Sequence, residues 1–312
     1  MGGIRPDFRN ITRSINYKFF KMILQLSSKQ KAAINAGELK RKRLIRATKQ
    51  AANQVNLDEK PIHYYIYGPS GIGKTYQSMQ AVTEADVPYF TVSGNVSMYN
   101  FAIKLGIIAY QNRDKKCVVI IDDCDEILKD AKTINQMKEL LGENKLSYNK
   151  RFHLNQLGDE DSLPYQAIEY WMNGNGVGFT IDTSNITFVI TSNIRLPYDS
   201  TAEEITEKNG GLDTAKSIKA RHLAAIRGRC EVKDLDMTME EKWGNLASVC
   251  LEDGACADCE SDQQKIFILN YLWNNWDNMK ETSIRTAEKM ARTLKLEGEE
   301  NIIDAFDSDY LK

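Results

Sequence analysis

Histidine, proline and cysteine are scarce in this chain: three, six and six among 312 residues. So few cysteines exclude a disulfide-dense scaffold, and reduced thiols in a cytoplasmic protein are the expectation. His63, His153 and His222 have no metal-ligand spacing and join no nucleophile motif. No stretch rich in proline, serine and glycine marks a linker, so domain boundaries have to come from element order. No apolar run nears the roughly 20 residues of a membrane span. No apolar segment followed by a small-residue cleavage site opens the chain, so no secretory signal is expected. Internal repeats and low-complexity tracts are also lacking. What remains, 42% hydrophobic and 27% charged, is globular composition and excludes a wholly disordered or collagen-like chain.

The net charge of −2 hides an asymmetry. Residues 1–50 carry 13 Lys/Arg against Asp7 and Glu38, for +11, and the other 262 residues sum to −13. A basic arm on an acidic body suggests a polyanionic partner such as nucleic acid. Residues 38–55 read as a helix, with Leu39, Ile45 and Ala52 able to face a core and Lys40, Lys42, Arg43 and Lys49 able to face water. Docking on a neighbouring domain and contact with a phosphate backbone both stay open for it. Residues 19–26 are the one segment greasy enough for a membrane surface.

Strand and helix patterns then alternate. Strands are expected at 62–67, 88–92, 117–122, 187–191 and 231–235, and helices at 76–85, 98–110, 133–141 and 215–227. The run CVVIID at 117–122 is nearly all apolar, as in a strand buried on both faces. This order predicts an α/β domain with a parallel sheet. From Thr238 the strands stop. Thr238-Met-Glu-Glu241 and Ser261-Asp-Gln-Gln264 have the capping-box pattern and open helices, and a third helix is expected at 283–294. The expected organisation is a basic arm and helix at 1–56, an α/β core at 57–236, a helical lid at 237–296 and an acidic tail at 297–312.

Gly68-Pro-Ser-Gly-Ile-Gly-Lys-Thr75 fits the phosphate-loop pattern and sits between a strand and a helix. Gly71 and Gly73 let backbone N–H groups wrap a phosphate, Lys74 neutralises it, and Thr75 offers its hydroxyl to Mg²⁺. Gly68, Pro69, Ser70, Gly71, Ile72, Gly73, Lys74, Thr75 and Tyr76 are therefore the candidate ATP-binding residues, at a helix N-terminus that favours anions. The strand ending in Asp122-Asp123 supplies the partner carboxylates. Asp122, with Thr75, is the candidate Mg²⁺ ligand, and Asp123 is the candidate base or water-orienting group. Asp125 and Glu126 read as the start of the next helix. Asn193 ends the strand Phe188-Val-Ile-Thr-Ser-Asn193, expected beside the acidic one. It would reach the γ-phosphate or the lytic water, unless it only caps a turn.

Together these motifs resemble the AAA+ family of P-loop ATPases over residues 60–295. Ala225-Ile-Arg-Gly-Arg-Cys230 resembles the arginine motif of clamp-loader subunits. That resemblance implies that Arg229 is an arginine finger for a neighbouring subunit's ATP, with Arg227 as the alternative. Thr282-Ser-Ile-Arg-Thr286 is similar to the family's second sensor, which makes Arg285 a γ-phosphate contact in cis. Asp-Asp in place of the usual Asp-Glu, with the Thr-Ser-Asn strand, also resembles superfamily-3 viral helicases, and Ile-Asp-Asp-Cys-Asp resembles phage-encoded AAA ATPases. The resemblance implies a Mg²⁺-dependent ATP hydrolase in a hexamer-like homo-oligomeric ring, remodelling or translocating on nucleic acid in phage or viral DNA replication, in the host cytoplasm if phage-encoded. An ATP-switched loader acting on a protein partner is the alternative. A protein unfoldase is disfavoured, because Ser97-Met-Tyr-Asn100 is the nearest approach to a pore loop.

Two features stay open. The 71 residues from Asp122 to Asn193 include an insertion, 145–182, with Lys145, Lys150, Arg151, Tyr170, Trp171 and the Gly174–Gly178 stretch. It reads either as a DNA-engaging hairpin or as a structural insertion. Cys250, Cys256 and Cys259 would need a fourth ligand to hold zinc, with Cys230 and His222 both remote in sequence, and free thiols are the plainer reading. The tryptophans at 171, 243, 273 and 276 read as core or subunit contacts.

Overall fold

The computed structural model describes residues 25–55, 59–94, 96–123, 125–172, 177–212, 214–252, 254–298 and 302–312. Residues 1–24 of the basic arm, Cys124 and Gly174–Gly176 lie outside the described residues. In chain order the elements are α1 (Ser28–Gln54), β1 (His63–Tyr67), α2 (Lys74–Glu84), β2 (Tyr89–Ser93), α3 (Met98–Gln111), β3 (Cys117–Asp122), α4 (Ala131–Glu143), β4 (Lys145–Tyr148), α5 (Leu163–Trp171), β5 (Phe179–Asp182) and β6 (Ile186–Ser192). There follow α6 (Asp199–Lys208), α7 (Ala215–Arg227), β7 (Cys230–Asp234), α8 (Met239–Glu252), α9 (Asp262–Asn275), α10 (Ile284–Glu297) and α11 (Ile302–Tyr310). The chain divides into two compact units. One holds Lys42–Pro69 and Gly73–Asp236, the other the residues up to Arg41, Ser70–Ile72 and Met237–Lys312.

The first of these is the α/β unit. Its five-stranded sheet has the order β2-β3-β6-β1-β7, and every neighbouring pair is parallel. All seven residues of β6 are buried, as are the first five of β3, which is why both read as continuous apolar runs. Tyr65, Phe101, Val119, Ile121, Ile134, Phe188 and Ile190 belong to one core between the sheet and its helices. The register aligns Asp122 with Thr191 and Ser192 with Tyr67. The turns after β1, β3 and β6 therefore open on one sheet edge, where ligands bind in such sheets.

The insertion at 145–182 is closed at its base by an antiparallel pair, with Lys145 opposite Asp182 and Tyr148 opposite Phe179. Between these strands lie a short 3₁₀ turn, Leu154–Leu157, and α5. Phe179 and Ile181 are fully buried, so the insertion adds to the core. Ser97, in the pore-loop candidate, is the N-cap of α3 and accepts from the amide of Asn100, which makes this stretch a helix start.

The other unit is helical. Trp243, Phe267, Ile268, Leu272, Met290 and Phe306 form its core. The Thr238 amide donates to Glu241 and the Glu241 amide donates back to the Thr238 hydroxyl, at 2.9 and 3.2 Å, so the capping box forms as the sequence predicts. Gly37 of α1 and Gly244 of α8 allow backbone contact: a Cβ on Gly37 would lie 2.1 Å from the Asn245 amide nitrogen. Residues 297–312, read from sequence as an acidic tail, contain α11. Its Ile302 and Phe306 are buried and its Tyr310 ring meets Phe306 edge-on. The acidic residues of this segment mask an apolar i, i+4, i+8 face.

The cations of α1 are paired to a large extent. In the helical unit Lys29 faces Glu240, Lys40 faces Glu241 and Arg41 lies 2.9 Å from Glu252. In the α/β unit Lys49 lies 2.8 Å from Glu84. Docking on neighbouring acidic residues accounts for these four side chains.

His63 is buried beside Phe188, whose amide donates to His63 Nδ1, so the ring proton sits on Nε2 and is directed at Asn144 Oδ1, 3.1 Å away. Burial holds its pKa down at about 4, from an ordinary 6.5. The folded state keeps this ring neutral while the unfolded chain binds a proton below pH 6.5. Stability is therefore expected to fall as pH drops from 6.5 to 4, by up to about 3 kcal/mol from this group. Denaturant unfolding at pH 7 and pH 4.5 checks it, and His63→Gln should flatten the slope.

Candidate active site

The phosphate loop follows β1 with two left-handed glycines, Gly71 at φ 75° and Gly73 at φ 82°. Gly73 is the residue before α2, so the loop turns directly into a helix N-terminus. Lys74, the first residue of α2, is only 7% exposed. Its ammonium donates to Gly68 O at 2.7 Å, Pro69 O at 3.0 Å and Asn193 Oδ1 at 2.9 Å. Burial pushes the ammonium below the usual lysine range, and Asp123, Asp122 and Asp125 pull the other way.

Asp122 Oδ1 accepts the Thr75 hydroxyl at 2.6 Å and also the Thr191 hydroxyl. Asn193 uses both ends of its amide: the oxygen accepts from Lys74 and the nitrogen donates to Asp123 Oδ1 at 3.3 Å. Lys74, Thr75, Asp122, Asp123 and Asn193 thus converge within the α/β unit. Two further members were not singled out in the sequence. Thr191 shares Asp122, and Asp125 accepts the Ser192 hydroxyl at 2.6 Å, although its spacing suggested only a helix start. Their signal was the parallel register, which sequence spacing does not carry.

Ser70–Ile72 group with the helical unit. There Gly71 O accepts the Ile284 amide at 3.3 Å and Ile72 O accepts Asn245 Nδ2 at 3.2 Å. Ser70 and Tyr76 are exposed. Arg285 is exposed on the first turn of α10.

The two candidate arginines differ. Arg227 is engaged within its own chain: it donates to Leu196 O at 2.9 Å, reaches Asp234 at 3.2 Å and stacks on Tyr198. Arg229 is exposed and pairs with no carboxylate among the described residues; its guanidinium donates to Ala225 O. The three lid thiols do come together, with Cys256 hydrogen-bonded to both Cys250 and Cys259. The Cys250 contact and burial push the Cys256 thiol up, while the Cys259 contact pulls the other way. Among the described residues no group of three or more His, Cys, Asp or Glu is arranged to hold a metal. Cys230 and His222 belong to the α/β unit and the lid thiols to the helical unit.

The chemistry of this donor set fits a metal-bound nucleoside triphosphate. A buried ammonium and loop amides favour phosphate oxygens, and a carboxylate beside a threonine hydroxyl favours a hard divalent cation.

Asp123 has φ 51°, in the left-handed region, which aspartate and asparagine tolerate better than alanine. Asp123→Asn is therefore expected to leave stability nearly unchanged, and Asp123→Ala to cost about 1 kcal/mol. Thermal unfolding of the two variants checks this, and equal losses would remove the backbone argument.

Residues 64–205 match a family model described as "ATPase family associated with various cellular activities (AAA)". No curated protein matches the chain. Among solved structures, the RuvB Holliday junction branch migration motor of Thermotoga maritima aligns over 87% of this chain and 68% of its own, at 14% identity and a TM-score of 0.42. The convergent phosphate loop, carboxylates and asparagine all lie within the residues that this model matches, 64–205.

Proposed function

We propose that this chain is a Mg²⁺-dependent ATP hydrolase whose site is completed by a second copy in a ring, and that it works on nucleic acid. The observation that carries the hydrolase reading is Asn193, which bridges the phosphate-loop ammonium of Lys74 to the carboxylate of Asp123. Loop amides from Gly71 to Thr75 and the Lys74 ammonium bind the phosphates. Thr75 and Asp122 would hold Mg²⁺, which supplies charge neutralisation to the leaving phosphates. Asp123 accepts the proton of the attacking water, and Asn193 orients that water. Asp123 is one methylene shorter than the glutamate usual at this position in the resembled family, so its proton transfer would run through a differently seated water. Arg229 has the exposure needed for a neighbour's phosphate, and the ion pair of Arg227 with Asp234 favours Arg229 over Arg227 for that role. Arg285 is assigned the second-sensor role from resemblance alone.

The nucleic-acid reading rests on the +11 charge of residues 1–50. The ion pairs of Lys29, Lys40, Arg41 and Lys49 favour the second reading, an ATP-switched loader acting on a protein, because they remove those cations from phosphate contact.

ATP turnover with and without single- and double-stranded DNA, over a salt series, separates the two. Stimulation that fades with salt supports the nucleic-acid motor, and turnover indifferent to DNA supports the loader. Lys74→Ala is expected to lose ATP binding. Asp123→Asn should bind ATP and turn over about 100-fold more slowly. Wild-type turnover in Lys74→Ala would refute the hydrolase assignment.

A further inference from the structure

α4 and α7 pack together and bring three basic side chains to one patch of the α/β unit. Lys138 Nζ lies 3.1 Å from His222 Nδ1. An ammonium has no lone pair, so the lysine donates and the imidazole accepts. His222 is then neutral, with its remaining proton on Nε2. Arg229 follows α7, and its stem crosses α4 at Gly142: a Cβ built there would stand 2.8 Å from Arg229 Nε. Lys60 donates to Gly142 O at 3.1 Å on the same helix end. Lys138 also donates to Asn135 Oδ1.

No carboxylate among the described residues forms an ion pair with Lys138, His222 or Arg229. Burial and Arg229 push Lys138 below the usual lysine range, and burial, Lys138 and Arg221 push His222 down. Like charges are therefore held close without a counter-ion, and the glycine inside α4, costly in a helix, makes room for one of them. A guanidinium, an ammonium and an imidazole N–H are the donor types that phosphate oxygens accept from.

We infer that Lys138, His222 and Arg229 form one composite site for phosphate oxygens, seated by Gly142, and that its ligand is the nucleoside triphosphate carried by a second copy of this chain. The identity of that ligand rests on the shared-site ATPase reading; the site itself does not. Lys138 adds a second positive charge beside the arginine and His222 an N–H donor, and an anion bound there raises the His222 pKa.

The test uses Lys74→Ala protein, in which the chain's own phosphate loop is disabled, with inorganic tripolyphosphate as the probe. The His222 imidazole is followed by NMR through a pH titration. Tripolyphosphate is expected to raise the His222 pKa, and both Lys138→Gln and Gly142→Ala, each added to Lys74→Ala, should weaken its binding about tenfold. Gly142→Ala keeps the fold assessable, since alanine favours the helix while its Cβ displaces Arg229. An unchanged His222 titration overturns the site, whatever the chain does with ATP. In the Lys74-intact protein, Lys138→Gln and Gly142→Ala should each lower ATP turnover about tenfold. Tripolyphosphate binding with undiminished turnover in both would overturn the second copy's nucleotide as the ligand and leave free phosphate in its place. A wild-type protein without ATP turnover sinks the hydrolase reading and, with it, that ligand, while the tripolyphosphate titration still decides the site.

Discussion

A buried ammonium has to be solvated by something, and the α/β unit is organised around that need. Lys74 is out of water and is held by two loop carbonyls and one side-chain amide. Those acceptors come from the end of β1 and the end of β6, so the charge is satisfied only while both strands keep their register. An unpaired buried charge would cost several kcal/mol, more than most single contacts contribute. The same demand orients Asn193, whose other end then reaches Asp123. One lysine thus couples the phosphate loop, the polar strand and the acidic strand.

The hydroxyls follow the same logic at the neighbouring carboxylate. Asp122 takes Thr75 from the helix and Thr191 from the adjacent strand, and Ser192 turns instead to Asp125. Successive residues of a strand point to opposite faces, so Thr191 and Ser192 serve two different carboxylates. Asp123, in the left-handed region, turns the chain directly after β3. Its strain is local and is eased by the short polar side chain that the chemistry also requires.

Basic residues in this chain divide by their partners. Lys29, Lys40, Arg41 and Lys49 of α1 meet glutamates of their own units, and Arg227 meets Asp234. Among the described residues Lys138 and Arg229 meet no acid. Composition treats all of these as equal positive charges; the partners decide which are structural and which are open to an anion. The lid thiols show a similar distinction. They touch one another, and among the described residues no group of three or more His, Cys, Asp or Glu is arranged to hold a metal.

Much of the α/β unit was legible from sequence because its signals are local. Apolar runs, the glycine loop and the capping pairs are read within about ten residues, and they marked the strands, the helix starts and the phosphate loop. Lys74, Thr75, Asp122 and Asn193 were legible because loop and strand-end chemistry restricts residue type. Tertiary structure decided what depends on pairing between distant segments. It joined Thr191 to Asp122, gave Asp125 a partner, separated Arg227 from Arg229, closed the insertion at Lys145 and Asp182, and folded residues 302–310 onto an apolar core. These contacts join residues far apart in the chain, and neither periodicity nor composition encodes which distant partner a side chain will meet.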